Sequence, residues 1–349
     1  MTQRDDGDTD RDAPVRWGIL GAANIARKAV GPAIVASGNG VVAAVASRER
    51  PKAEAFAREL DAARAHEGYQ ALLEDGDVEA VYVPLPNALH EEWSIRALEA
   101  GKHVLCEKPL APTAAACLRM KYAAEAAERH LMEAFMYRFH PRTRAATRRL
   151  HGGVVGALRQ SSATFTFRLR DRGNVRYSKD LAGGALLDVG CYTVDASRRL
   201  MGEEPIRAVA MSSWTDSGVD AETVGMLAFP SGATASISCA LTLPRVEKMR
   251  VQGEEGTLRL PRAFLPGIDP VEIQVDAADG ASDAERVSGV DQYRLMVEAF
   301  AARVQGRDVD APASDAEEAA RTLRVLDALA ASAQGGGRPV EVAAASASV

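Results

Sequence analysis

The chain has 349 residues, 47% hydrophobic and 26% charged, a composition that excludes a mostly disordered protein and a length that favours two domains over one core. Its formal net charge of -6 provides no global positive field for nucleic acid or an anionic membrane surface. With no apolar run of the ~18 residues a membrane helix needs, no signal-peptide order, and Cys106, Cys117, Cys191 and Cys239 scattered without metal-ligand spacing, a cytoplasmic, metal-free protein is expected.

Residues 1–13 carry five Asp and two Arg and almost nothing apolar, which predicts a disordered tail. Val15 to Leu20 then reads as a buried strand, Gly21 to Ala36 as a turn entering a helix, Val41 to Ala46 as a second strand and Pro51 to Leu60 as a second helix. The order repeats with a strand at Ala80 to Val83, a helix at Leu89 to Ala100 and a strand at His103 to Leu105. Such alternation predicts a parallel sheet covered on both faces, over residues 14–138. After about His151 strand-like segments follow one another: Ser162 to Leu169, Ile206 to Ser212, Val224 to Phe229, Ala233 to Leu241 and Thr257 to Leu260. A largely antiparallel sheet over 139–338 fits them, bracketed by helices at Gly190 to Met201, Gln292 to Val304 and Ala316 to Ala331. Residues 339–349 read as a flexible tail. The fold class is α/β in both halves.

Gly21-Ala22-Ala23-Asn24-Ile25-Ala26, between the first strand and helix, is a variant of G-x-G-x-x-G/A with alanine at the second glycine position. Small residues there let the backbone approach a pyrophosphate, and the helix N-terminus presents unpaired N–H groups to it. Six residues alone fit an ordinary tight turn equally well; the repeated strand-helix pattern favours the nucleotide reading. The second strand ends in Ser47-Arg48, where an NAD site would place an acid. A hydroxyl and a guanidinium suit a 2′-phosphate, so NADP(H) is favoured. The alternative leaves Arg48 in solvent and gives the ribose to Glu49.

Val83-Pro84-Leu85-Pro86-Asn87-Ala88-Leu89-His90, Glu107-Lys108-Pro109, Glu133 to Pro141 and Gly183 to Tyr192 together resemble the Gfo/Idh/MocA oxidoreductase family, from about residue 15 to 335. Within it the resemblance is to the branch of NADP-dependent D-xylose 1-dehydrogenases and dihydrodiol dehydrogenases, with nucleotide-ketosugar 3-reductases nearby. The resemblance implies a Rossmann domain followed by a substrate-binding domain whose open sheet builds homodimers or homotetramers. It places Pro84, Leu85, Pro86, Asn87, His90 and Glu107 along the cofactor and leaves the isomer of the Lys108–Pro109 bond open.

Hydride transfer at a carbinol carbon needs a group that exchanges the hydroxyl proton, and a tyrosine serves if a nearby cation lowers its pKa of about 10. By resemblance Lys108 and Tyr192 form that pair, although each alone reads equally as a surface lysine and a core tyrosine. Asp188, four residues earlier, would share their cleft or would simply serve the start of its helix. Glu107 is expected to orient Lys108. Tyr137, Arg138, Phe165 and Leu169 are carried over as substrate wall, Phe165 with a packing role as well. Arg142, Arg144, Arg148 and Arg149 read as a solvated face. Arg168, Arg170, Arg172 and Arg176 either shape the mouth of the site, able to hold a nucleotide-sugar diphosphate, or stay outside it. The expected activity is NADP-dependent hydride transfer at a carbinol or carbonyl carbon of a sugar such as D-xylose or of a related cyclic diol; the alternatives are nucleotide-ketosugar 3-reduction and an NADP-sensing regulator without turnover.

Overall fold

The computed structural model describes residues 13–312 and 315–344. Apolar, β-branched runs in the first half become short strands buried on both faces, and the turns between them release amphipathic helices to either side. In chain order these are β1 (Val15–Leu20), α1 (Gly31–Val35, continuing a π-helical turn at Ala26–Val30), β2 (Gly40–Ser47), α2 (Arg50–Glu59), β3 (Arg64–Glu67), α3 (Tyr69–Leu73), β4 (Ala80–Val83), α4 (His90–Glu99), β5 (His103–Glu107), α5 (Ala114–Ala127) and β6 (Leu131–Ala134). The six strands form one parallel sheet in the order β3-β2-β1-β4-β5-β6. The order reverses between β1 and β4, which opens a crevice at their carboxyl ends.

After α6 (Pro141–His151) come β7 (Leu158–Arg168), α7 (Cys191–Met201), β8 (Arg207–Trp214), β9 (Asp220–Ala228), β10 (Thr234–Ala240), β11 (Thr242–Gly253), β12 (Gly256–Pro261), β13 (Val271–Ala277), β14 (Ser282–Val287), α8 (Gln292–Val304), α9 (Ala316–Gln334) and β15 (Val340–Glu341). They build a nine-stranded sheet, β14-β13-β12-β11-β7-β10-β9-β8-β15, antiparallel except where β7 meets β10. Helices α7 and α9 cover one face. The other carries Met211, Val224 and Met226 at 72%, 61% and 55% exposure, with Met211 opposite Val224 across the β8–β9 pair. Among the described residues, no helix is long and apolar enough to cross a membrane.

The predicted α/β architecture holds, although β3, β6, β11, β13 and β14 stand where no strand is expected and α3 and α5 where no helix is, with further local differences. The chain returns to the first domain at its end: Phe300 of α8 packs against Trp17 of β1, ring centroids 5.3 Å apart. The tail reading for residues 339–349 fails at Val340 and Glu341, which pair with Ala208 and Arg207, while 345–349 lie outside the described residues. The N-terminal tail reading also falls outside them except at Ala13, whose carbonyl accepts a 2.7 Å bond from Gln305. On α6, the solvated-face reading fails at Arg142. That side chain is fully buried and donates to the carbonyls of Pro261, Arg262 and Ala263, while Arg144 and Arg149 pair with acids.

Candidate active site

A cleft of about 500 Å³ opens where the carboxyl ends of β1, β4 and β5 face β7 and α7. Its first wall is the Gly21 turn. Gly21 has φ +101°, which suits a residue without Cβ, and an added Cβ would lie 3.2 Å from Leu85. Ala23, Asn24 and Ile25 then line the cleft as the chain enters its first helix. Pro84, Leu85, Pro86 and Asn87 form the next wall, and Asn87 donates a 2.8 Å bond to the Ala182 carbonyl, tying the two domains together.

His90, at the start of α4, is buried in the lining of the cleft between the carbonyls of Pro109 (Nδ1, 2.9 Å) and Leu85 (Nε2, 2.7 Å). Two acceptors favour a doubly protonated ring, but burial outweighs them and lowers its pKa. The ring is a strut joining two loops of the cleft.

The dinucleotide fits these residues. The helix after Gly21 leaves its first N–H groups without intrahelical partners for a phosphate. Ser47 ends β2 and Arg48 follows it, both outside the lining of the cleft; Arg48 is exposed and has no carboxylate partner among the described residues. Glu49, the alternative ribose acceptor, is engaged by Lys52 at 2.5 Å.

The chemical end is built where β5 and the helical run of residues 186–201 meet. Glu107 ends β5, and the Lys108–Pro109 peptide bond after it is cis. Lys108 Nζ donates to the Asp188 carbonyl at 2.7 Å and to its Oδ1 at 3.2 Å, and Arg176 Nε donates to Oδ2 at 2.6 Å. Asp188 sits in a π-helical turn (Leu186–Gly190) just before α7, whose second residue is Tyr192, so both side chains reach one cleft. Burial raises the Asp188 pKa, but the two cations outweigh it and hold the carboxyl below its ordinary range. Burial likewise opposes the Lys108 charge, and Asp188 reverses the balance, so the ammonium titrates above an ordinary lysine. Asp188 therefore serves Lys108 and Arg176 from the first turn of the helical run, without a side-chain cap bond to it.

Tyr192 differs from expectation. Its ring, 4% exposed, faces the Lys108 ammonium at 5.1 Å from the centroid, and its hydroxyl lies 3.4 Å from Met136 Sδ. Burial raises its pKa well above that of free tyrosine, so the phenol is protonated in this state and not preset as a base. Glu107 also differs. It lines the cleft, its Oε2 accepts the Lys108 backbone N–H at 3.2 Å and its Oε1 takes the Tyr82 hydroxyl at 2.6 Å, so it fixes Lys108 through the backbone, and toward the ammonium it acts by charge without a hydrogen bond. Burial raises the Glu107 pKa.

Two stretches of the sequence match the sequence models of one family: residues 15–135 an oxidoreductase family with an NAD-binding Rossmann fold, and residues 143–259 the GFO/IDH/MocA C-terminal domain. The chain belongs to the Gfo/Idh/MocA oxidoreductase family. It is 42% identical to a D-xylose 1-dehydrogenase (NADP(+)) of Haloferax volcanii over 92% of this chain and 98% of that protein. It is 37% identical to a dTDP-3,4-didehydro-2,6-dideoxy-alpha-D-glucose 3-reductase of Streptomyces violaceoruber, over 93% of this chain and 96% of the relative. A solved 3-ketoreductase from Actinomadura kijaniata, in complex with NADP and TDP-benzene, superposes with a TM-score of 0.85 at 33% identity, covering 91% of this chain and 98% of that one.

Within this Gfo/Idh/MocA chain, Phe165 lines the cleft, stacked on Phe264 at 5.3 Å and edge-on to Tyr192 at 5.2 Å. Arg176 lines it too; Arg168, Arg170 and Arg172 are exposed beside a separate depression with Leu169 and Thr242. Leu169 is thus outside the cleft, since β7 ends at Arg168 and the chain turns away. Tyr137 and Arg138 are also misplaced as substrate wall. Both are buried beneath the cleft and bonded to Asp195. Arg245, paired with Glu247, and Tyr293 of α8 line the cleft unannounced by any motif, because distant segments bring them there.

Proposed function

We propose that this protein is an NADP-dependent dehydrogenase of a free sugar of the D-xylose type, exchanging hydride at a carbinol or carbonyl carbon. The observation that carries the reading is the charge balance of the cleft. Lys108 and Arg176 face Asp188, and Arg245 faces Glu247, so each of these lining cations already has a carboxylate partner. A polyol hydrogen-bonds to such pairs without requiring a fresh counter-charge, which the diphosphate of a nucleotide sugar would. The Haloferax relative named for xylose and NADP agrees.

The Gly21 turn, with Ser47 and Arg48 toward the 2′-phosphate, would hold the cofactor, which would supply or accept the hydride. Tyr192 gives its phenol proton to the substrate oxygen in reduction and takes it back in oxidation. Lys108, kept charged by Asp188, favours negative charge on that oxygen or on the tyrosine, and Asp188 with Arg176 places neighbouring hydroxyls. The test is NADP reduction by free aldoses; turnover restricted to nucleotide-ketosugars would remove the reading.

One observation favours the ketosugar reductase as second reading: Arg168, Arg170 and Arg172 have no carboxylate partner among the described residues and surround an exposed depression at the end of β7 that could take an anionic group. We place the protein in the cytoplasm, on its free, buried cysteines. It self-associates through the face bearing Met211, Val224 and Met226, an apolar patch typical of an interface. A monomer by light scattering would rule this association out.

A further inference from the structure

Behind the cleft lies a buried cluster that the chemistry above does not use. Arg138 directs its guanidinium to Asp195 through two bonds, Nη2 to Oδ1 at 2.6 Å and Nε to Oδ2 at 3.0 Å, and lies 3.3 Å from Glu133 Oε2. All three side chains are at most 1% exposed. Tyr137 and Thr322 also donate to Asp195, and Arg198 and Arg199 approach it from its own helix.

Each end of the cluster holds one half of the catalytic pair. Glu133 Oε1 accepts the backbone N–H of Leu110 at 3.0 Å, two residues beyond Lys108. Asp195 lies three residues beyond Tyr192 on α7, less than one helical turn away. A third link is a column of two rings held between two cations. The Arg138 guanidinium lies 4.5 Å over Phe135, Phe135 meets Tyr192 edge-on at 4.8 Å, and the Lys108 ammonium lies 5.1 Å over the Tyr192 ring.

We propose that Arg138 is a positioning residue of the catalytic centre, fixing the loop that carries Lys108 in register with the helix that carries Tyr192. Fold stability alone is a weak reason for such a cluster, because well-packed apolar side chains fill a core at least as favourably as a buried ion triad. What the triad adds is direction: a planar fork bonds one acid on the helix while its remaining reach meets the acid that holds the loop. The inference rests on the assignment of Lys108 and Tyr192 made above.

The test compares Arg138→Lys, Glu133→Ala and Glu133→Gln in the full-length protein. Lysine keeps the charge without the fork. Alanine frees the Leu110 N–H, and glutamine keeps its acceptor. Arg138→Lys and Glu133→Ala should lose at least ~10-fold in kcat with Kd for NADPH within ~3-fold, and Glu133→Gln should recover most of the loss. A second readout needs no substrate: the ring signal of Tyr192 in 13C-tyrosine-labelled protein should shift in the same two variants.

Cooperatively folded Arg138→Lys and Glu133→Ala proteins with unchanged kcat and an unshifted Tyr192 signal would overturn the proposal. Should Arg138→Lys fail to fold, Glu133→Ala decides by the same criteria. A wild type inert toward aldoses would remove the substrate assignment, and the Tyr192 signal would then decide the positioning role alone.

Discussion

Asp188→Asn tests the electrostatic core of the site. The wild-type carboxylate compensates two cations of unequal weight. The Lys108 side chain is 12% exposed and that of Asp188 10%, so neutralising the acid strands a buried ammonium. Breaking such a pair costs about 3 kcal/mol. The Arg176 side chain is 39% exposed, so solvent screens its arm and roughly 0.5 kcal/mol is lost there. The Lys108 bond to the Asp188 backbone carbonyl survives the substitution, which holds the sum near about 3 kcal/mol.

At about 2 °C per kcal/mol for a large domain, the melting temperature should fall by roughly 6 °C at pH 7. The pH range follows from the direction of each shift. Asp188 titrates below its unfolded value, so its contribution is present above ordinary carboxylate pKa values and is lost as pH falls through the folded value. Lys108 titrates above its unfolded value, so its contribution is present below ordinary lysine pKa values and is lost as pH rises through the folded one. The difference between variant and wild type should therefore be flat from about pH 5 up to the lowered pKa of Lys108 in the variant, and shrink on either side. In the variant, burial acts on Lys108 without the opposing carboxylate, so the alkaline limb of kcat/KM should move toward neutrality. Thermal unfolding by circular dichroism and a kcat/KM profile read both effects. A melting temperature within about 1 °C of wild type and an unmoved limb would refute the reasoning.

Tyr192→Phe should keep NADPH binding and lose at least ~10²-fold in kcat, measured by fluorescence titration and steady-state turnover; near-normal kcat would exclude the phenol as proton carrier. Arg48→Glu should weaken NADP binding far more than NAD binding, and equal losses would remove Arg48 from the discriminating role. Because burial raises the Tyr192 pKa, kcat/KM for oxidation should climb with pH through neutrality, while reduction, which uses the protonated phenol, should stay level there. An oxidation profile flat from about pH 6 to 9 would contradict that.

The parallel sheet was readable because strands buried on both faces are continuous apolar runs, as in Val15 to Leu20 and Ala80 to Val83, separated by helices. β14 was not readable, since Ser282 to Val287 is an exposed, polar edge strand without an apolar pattern. Lys108, Asp188 and Tyr192 were legible through motifs that local backbone brings to one cleft. Tyr293 and Arg245 were not, because their place depends on α8 returning to the first domain and on the reach of β11, contacts no local spacing encodes. Tyr137 and Arg138 belong to the same stretch that carries the family resemblance, yet they point beneath the cleft. Resemblance located the segment, and only packing assigned its faces. The Tyr192 pKa departs from expectation for a related reason: proximity to Lys108 is foreseeable from sequence, whereas the near-complete burial of the ring is not.

Absorbance of the reduced nicotinamide tests most directly the proposed NADP-linked oxidation of an uncharged sugar. Purified protein is mixed with NADP or NAD and a panel of free aldoses, and in parallel with NADPH and nucleotide-ketosugars. Reduction of NADP by an aldose of the xylose type, with NAD much the poorer acceptor, is the predicted result. Oxidation of NADPH by nucleotide-ketosugars alone, with every free aldose silent, would contradict it.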